Sequence, residues 1–211
     1  MGVLGKARYS RVAFKMVRLG NTKYEECIFN QAVDDSLKYN LLGMDVLASQ
    51  CIEIDYVNKY IKLNSGNDYS RYEEIITSNS LIPKIIIDIN NVRVKAVLDT
   101  GSSITLIHYK SIANVKDVFT VQNDESGIDV TGAEIIGKAC VLKRIGILGN
   151  VVNDHKAICL DLSNIQMAEG PQVDCIIGSD IISRARWIFD FPNRRYALDL
   201  FDQLNNPCSL M

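Results

Sequence analysis

The sequence is poor in the residues that support metal or redox chemistry. It has two histidines, His108 and His155, and six cysteines spread singly without a Cys-x-x-Cys pair. A zinc site draws its ligands from closely spaced Cys and His, so neither a metal nor a cofactor is expected. Cys27, Cys51, Cys140, Cys159, Cys175 and Cys208 mostly fall inside apolar runs such as Ala157-Ile158-Cys159-Leu160, where a thiol acts as a small hydrophobe. A chain of 211 residues needs no disulfide staples, so reduced thiols are expected and a cytoplasmic setting is favoured. Net charge is also small: 23 Lys and Arg stand against 25 Asp and Glu, which argues against the basic surface that a nucleic-acid partner requires. No apolar run approaches the ~20 residues that cross a bilayer, so no membrane partner is expected. The start, Met1 to Lys6, lacks the charged-then-apolar order of a leader.

What the sequence does have is short β-type runs separated by turn residues. Val12 to Val17 precedes Gly20-Asn21, and Lys84 to Ile89 and Val92 to Leu98 flank Asn90-Asn91. The fold class is therefore mainly β. Two apolar stretches each end in glycine and run into a short helical segment: Leu41-Leu42-Gly43 before Met44 to Ser49, and Ile176-Ile177-Gly178 before Ser179 to Ala185.

These two places match at a constant offset of 135 residues, which pairs Gly43 with Gly178, Asp45 with Asp180, Asp55 with Asp190, Asn58 with Asn193 and Leu63 with Leu198. Upstream, with small gaps, Gly5-Lys6-Ala7 repeats as Gly137-Lys138-Ala139, Leu19-Gly20-Asn21 as Leu148-Gly149-Asn150, and Cys27 falls opposite Cys159. An ordered series of this kind points to an internal duplication, with a period too long for a solenoid. The expected domains are a partial first lobe at 1–64, a polar linker at 65–80, a complete lobe at 81–205 and a tail at 206–211. The first copy begins only at the counterpart of about Glu134.

The chemistry-bearing segment is Val97-Leu98-Asp99-Thr100-Gly101-Ser102-Ser103, where an apolar strand breaks into a Gly-containing turn. Alone, Asp-Thr-Gly is an ordinary turn. Its setting says more: two strands precede it, Ile104 to Ile107 reads as another, and Ile176-Ile177-Gly178 follows downstream. In these features the sequence resembles the pepsin-like and retropepsin-like aspartic proteases, over nearly all of 81–201 and, as a truncated copy, about 1–64. The resemblance implies acid-protease β-barrel lobes, one complete and one partial, with short helices after each apolar-apolar-Gly motif. It also implies an aspartic endopeptidase acting on a polypeptide substrate. Asp99 would share a proton with a second aspartate and activate a water. Thr100 would bond across the lobe interface, Gly101 would allow the close turn, Ser102 would bond the carboxylate, Ser103 would complete the loop, and Ile176, Ile177 and Gly178 would support it.

The resemblance further implies a flap, with its tip at Val130-Thr131-Gly132-Ala133-Glu134, where Gly132 permits a tight turn. The first copy departs from the family, since it has no Asp-Thr/Ser-Gly. Its Asp34-Asp35-Ser36 reads as a solvated turn, and Asp45, Asp55, Asp180 and Asp190 read as helix caps and turn formers. The second acid is therefore expected from outside the sequence, from a longer N-terminus or from a second subunit in a homodimer. The 211-residue chain alone is then expected to be an inactive monomer whose first lobe self-associates. A non-catalytic peptide-binding or assembly module is the competing reading. A glycosidase is weaker, because nothing places a second carboxylate beside Asp99.

Overall fold

The computed structural model describes residues 9–33, 41–65, 69–77, 82–112, 119–128, 134–163 and 173–200. Its centre is a barrel. Strands β6 (Lys84–Ile89) and β7 (Val92–Leu98) form a hairpin across Asn90-Asn91, both at positive φ (48° and 68°), the left-handed pair that a two-residue turn between right-twisted strands requires. Ile85, Ile87 and Ile89 recur at every second residue and are buried to 1% exposure or less, as a strand with one face on a core demands. The sheet runs in the order β11 (Asn150–Leu160), β8 (Leu106–His108), β12 (Cys175–Ile177), β7, β6, β10 (Glu134–Ile147), and β10–β11 pairing closes it into six strands. Closure leaves the six ring strands without a free edge. Strand β9 (Phe119–Ile128) adds to β10 outside the ring.

The core holds Cys140 and Cys175 among isoleucines and leucines, and Cys27, Cys51, Cys140, Cys159 and Cys175 are all free thiols. Burial pushes the Cys140 thiol up to about 12, so it packs as a neutral hydrophobe. No helix among the described residues is long and apolar enough to cross a membrane.

A second sheet has the order β4 (Tyr60–Leu63), β3 (Cys51–Asp55), β13 (Ala185–Asp190), β14 (Arg195–Leu200), β5 (Glu73–Glu74). It is anchored by Trp187, which stacks on Phe189 and Tyr196 and donates its indole N–H to Ile182 O at 2.8 Å. The stretch expected to be a linker is structured in part. β5 pairs with β14, Ile75 is buried to 1%, and Ile76 bridges Lys84. The short Ile75-Ile76 run outweighs the polarity around it because Ile75 packs into the core while Ile76 exchanges main-chain hydrogen bonds with Lys84.

Residues 9–63 supply a hairpin, β1 (Tyr9–Leu19) with β2 (Thr22–Ala32), a helix α1 (Met44–Leu47), and strands β3 and β4. Among the described residues they close no barrel of their own, and β1 and β2 pair only with each other. Two further short helices are α2 (Tyr109–Ile112) and α3 (Ser179–Ile182). The segment from Ser179 to Ala185 is helical only to Ile182, because Ala185 already opens β13.

The 135-residue offset carries through the backbone. α1 maps onto α3, β3 onto β13 and β4 onto β14, while Lys59 and Arg194 share a left-handed φ (56° and 51°). Asp55 accepts the N–H and side-chain amide of Asn58, each at 2.8 Å, and Asp190 receives the same two groups from Asn193. These two aspartates form turns, as read from the sequence. Farther upstream the match slips: the two-residue turns are Gly20-Asn21 and Leu148-Gly149, one position out of step with the aligned Leu-Gly-Asn triplets. Such a slip exchanges the two faces of a strand.

Candidate active site

Asp99 follows β7 at the rim of the barrel and is exposed. Its main-chain N–H donates to Ile177 O at 3.1 Å, which pins the loop to β12. The carboxylate accepts the Gly101 N–H at 2.8 Å, and Ser102 N–H closes the turn on Asp99 O at 3.2 Å. A Cβ on Gly101 would sit 3.2 Å from the Asp99 carboxylate, so glycine permits the acid to fold back over its own loop. Among the described residues Asp99 makes no hydrogen bond or ion pair to another acid.

Beneath the loop lies a polar strut. Gly178 packs against Ile104 so tightly that a Cβ would stand 2.7 Å from the Ile104 carbonyl carbon and oxygen. Ser179 N–H donates to Ser102 O at 2.7 Å. The Asp180 carboxylate accepts both the N–H and the hydroxyl of Thr105, each at 2.8 Å, and meets His155 Nε2 at 2.9 Å. Thr105 Oγ1 in turn accepts the Gly178 N–H at 3.3 Å. Burial opposes the charge on Asp180, but the bonds from His155 and Thr105 outweigh it and hold the carboxyl below the usual carboxylate range.

The expected role of Asp180 as a helix cap is therefore corrected, since it ties α3 to β8 and β11. A depressed folded pKa contributes stability that is present above the unfolded value of about 3.9 and lost as pH falls through the folded value. Asp180→Asn should cost roughly 1.5 kcal/mol at pH 7. It should also flatten the loss of stability between about pH 4 and pH 2. Urea melts of both proteins at pH 7 and pH 3 check this, and an equal acid loss in the variant would contradict it.

The structure brings together Asp99, Thr100, Gly101, Ser102 and Ser103 with Ile176, Ile177 and Gly178, because β7 and β12 run parallel and side by side (Ile176↔Val97, Ile177↔Leu98). Ser102 differs from its implied role: its hydroxyl donates to Ile104 O at 2.7 Å, and Gly101 N–H serves the carboxylate instead. Thr100 and Ser103 are exposed. Val130, Thr131, Gly132 and Ala133 lie outside the described residues. The arms on either side do form an antiparallel hairpin, β9–β10, with Glu134 opposite Ile128. Asp34, Asp35 and Ser36 also lie outside the described residues.

Sequence reasoning missed Thr105 and His155. The signal for Thr105 was there, as a hydroxyl residue inside the apolar run Ile104 to Ile107, fully buried in the fold. His155 carried none, because its partner lies on another element. Among the described residues no group of three or more His, Cys, Asp or Glu is placed to hold a metal.

The closed six-stranded barrel is consistent with a retropepsin-like acid protease fold. Residues 85–181 match the aspartyl protease family model. Among solved structures the chain is similar to a retropepsin-like aspartic protease from Rickettsia conorii, at 15% identity over 55% of this chain and 79% of that one, with a TM-score of 0.38. It is also similar to the retroviral protease-like domain of Ddi1 from Leishmania major, at 15% identity over 60% of this chain and 98% of that one, with a TM-score of 0.35. No curated protein matches the chain in sequence.

Proposed function

We propose that the chain is the Asp99-bearing part of an aspartic endopeptidase. The observation that carries this reading is the exposed Asp99 carboxylate, held by Gly101 N–H on a loop braced from below by Ile177, Gly178 and Ser179. A rigid seat keeps an acid poised without reorganisation at the moment of reaction. The second acid is supplied from outside residues 1–211. Two closely apposed carboxylates cannot both ionise easily, so one proton is shared. The ionised member draws a proton from a water, the water's oxygen attacks the scissile carbonyl, and the protonated member gives its proton to the leaving nitrogen.

The β9–β10 hairpin is the flap in this reading, with its tip at 130–134 closing over an extended peptide. Ser103 and Thr100, both exposed beside the acid, face substrate or the partner lobe. The recurrence of α1, β3 and β4 as α3, β13 and β14 supports a duplicated, pepsin-like ancestry.

Peptide cleavage by the assembly that carries both acids should fall on each side of a pH optimum in the acid to mildly acid range, with apparent values that belong to the pair. A hydroxyl-bearing statine-type inhibitor should abolish it, because the hydroxyl takes the place of the attacking water. Cleavage that ignores such an inhibitor but stops with a metal chelator would overturn the mechanism.

A further inference from the structure

Three groups converge on the Asp180 carboxylate. Oδ2 accepts the Thr105 N–H at 2.8 Å and meets His155 Nε2 at 2.9 Å, while Oδ1 accepts the Thr105 hydroxyl at 2.8 Å. An ionised carboxylate only accepts, so the Nε2 that faces it carries a proton. The Thr105 oxygen is engaged as well, because it accepts the Gly178 N–H at 3.3 Å. A protonated Asp180 would add a donor to a site whose acceptors are all taken. The strut therefore exists only while Asp180 is ionised.

That condition is hardest to keep in acid, where an enzyme of the proposed kind works. Desolvation drives a buried carboxylate toward its neutral form, and a falling pH adds to the drive. Imidazole answers in the same range, since it is the side chain that takes up a proton between neutral and mildly acid pH. A bond from imidazolium to carboxylate is charge-assisted and roughly twice as strong as a neutral one. The contact at Asp180 strengthens where a lone buried carboxylate would weaken.

We infer that His155 is a positioning residue that keeps the seat of Asp99 intact in acid: its imidazolium holds Asp180 ionised, Asp180 holds Thr105, and through Gly178 and Ser179 this holds the Asp99 loop. The inference rests on the peptidase reading only for the use to which that seat is put. Other charged or titratable groups near Asp180 do not share the part. Cys175 on β12 feels the Asp180 charge, but burial first, and then Asp174 and Asp180, push its thiol up and leave it neutral. Arg184, exposed just past α3, gives its Nε to the main-chain oxygen of Asp180 at 2.9 Å and not to the carboxylate. On β11, Lys156 and Asp154 are exposed, and Asp154 pairs with Lys143 at 2.8 Å, whereas His155 is 6% exposed.

The first copy shows that the duplicated fold does not itself ask for the imidazole. β2 and β11 are both eleven residues long, and their sixth residues are Cys27 and His155. The copy without an Asp-Thr-Gly of its own keeps the aspartate, as Asp45, and has a thiol in the place of the histidine.

Amide hydrogen exchange in the 211-residue chain, read by NMR at about pH 7 and about pH 4.5 and corrected for intrinsic rates, tests the lock. His155→Gln keeps a neutral donor and loses the charge. Relative to the parent, protection of the Thr105 N–H should stay within about twofold at the higher pH and fall about tenfold at the lower. Asp180→Asn in the same background should erase that pH dependence, because a carboxamide does not titrate. If His155→Gln unfolds at the lower pH, its urea midpoint followed downward from about pH 7 should part from the parent's, and a parallel decline counts against the lock. In the assembly that carries both acids, kcat of His155→Gln should fall about tenfold at about pH 4.5 with KM within about twofold, and match the parent near about pH 6.5. The inference is overturned by protection equal to the parent's at both pH values, by a loss of the same size at both, by a pH dependence that survives Asp180→Asn, or by lost protection with kcat unchanged. The expected exchange result in a chain whose complete assembly cleaves nothing would leave the lock standing and overturn the peptidase reading alone.

Discussion

Asp99→Asn should reduce peptide cleavage by at least about 10⁴-fold in the assembly that carries both acids, while the thermal midpoint stays within about 1 °C of the parent. The two halves of this expectation have separate physical causes. The carboxamide cannot share a proton with a second acid or take one from water, so the reaction loses its base and its acid together. Stability is spared because Asp99 is exposed, and its bonds are ones that asparagine reproduces. The side-chain oxygen still accepts the Gly101 N–H, and the main-chain bonds to Ile177 and Ser102 do not involve the side chain at all. Initial rates on a fluorogenic peptide, beside a thermal melt of each protein, decide it. Retained cleavage would remove Asp99 from the chemistry. A large drop in thermal midpoint would show the acid to be part of the scaffold instead.

Much of the barrel was legible in the sequence because its strands are short apolar runs with explicit turn residues. Asn90-Asn91 between Ile89 and Val92 announces a left-handed two-residue turn, and the structure has one. Asp55 and Asp190 were legible as turn formers, since an aspartate three residues before an asparagine satisfies that turn locally. Asp180 was not, although it stands at the same kind of helix start as any capping acid. Its partners Thr105 and His155 are 75 and 25 residues away, and only the barrel brings them to it. The polar stretch at 65–80 misled for a related reason. Ile75 stands in a short apolar pair among many polar residues, and its burial depends on a slot made by strands distant in sequence. What a sequence read alone renders well is whatever neighbours decide; the strut under Asp99 is decided by topology.

The second large effect is expected at Gly178. Gly178→Ala should destabilise the chain by about 3 kcal/mol, at the upper end of what overpacking against a rigid neighbour costs. Backbone strain plays no part, because φ of −91° with ψ near 180° is open to any residue. The cost is steric: the new methyl would lie 2.7 Å from both the carbonyl carbon and the oxygen of Ile104, and these are main-chain atoms of the loop that runs from Asp99 into β8. Relief requires Ile104 to move, and Ile104 O is the acceptor for the Ser102 hydroxyl, so the displacement passes into the Asp99 loop. Cleavage should therefore fall together with stability, unlike the separation expected for Asp99→Asn. Gly43→Ala supplies the internal control, because the same methyl there would meet only the Asp45 carboxylate, 2.6 Å away at the end of an exposed side chain free to rotate. That variant should change stability by less than about 0.5 kcal/mol in the chain by itself. Urea denaturation of the two variants side by side gives the comparison. Equal costs at both glycines would mean that the tight seat at Ile104 is not what holds the Asp99 loop in place.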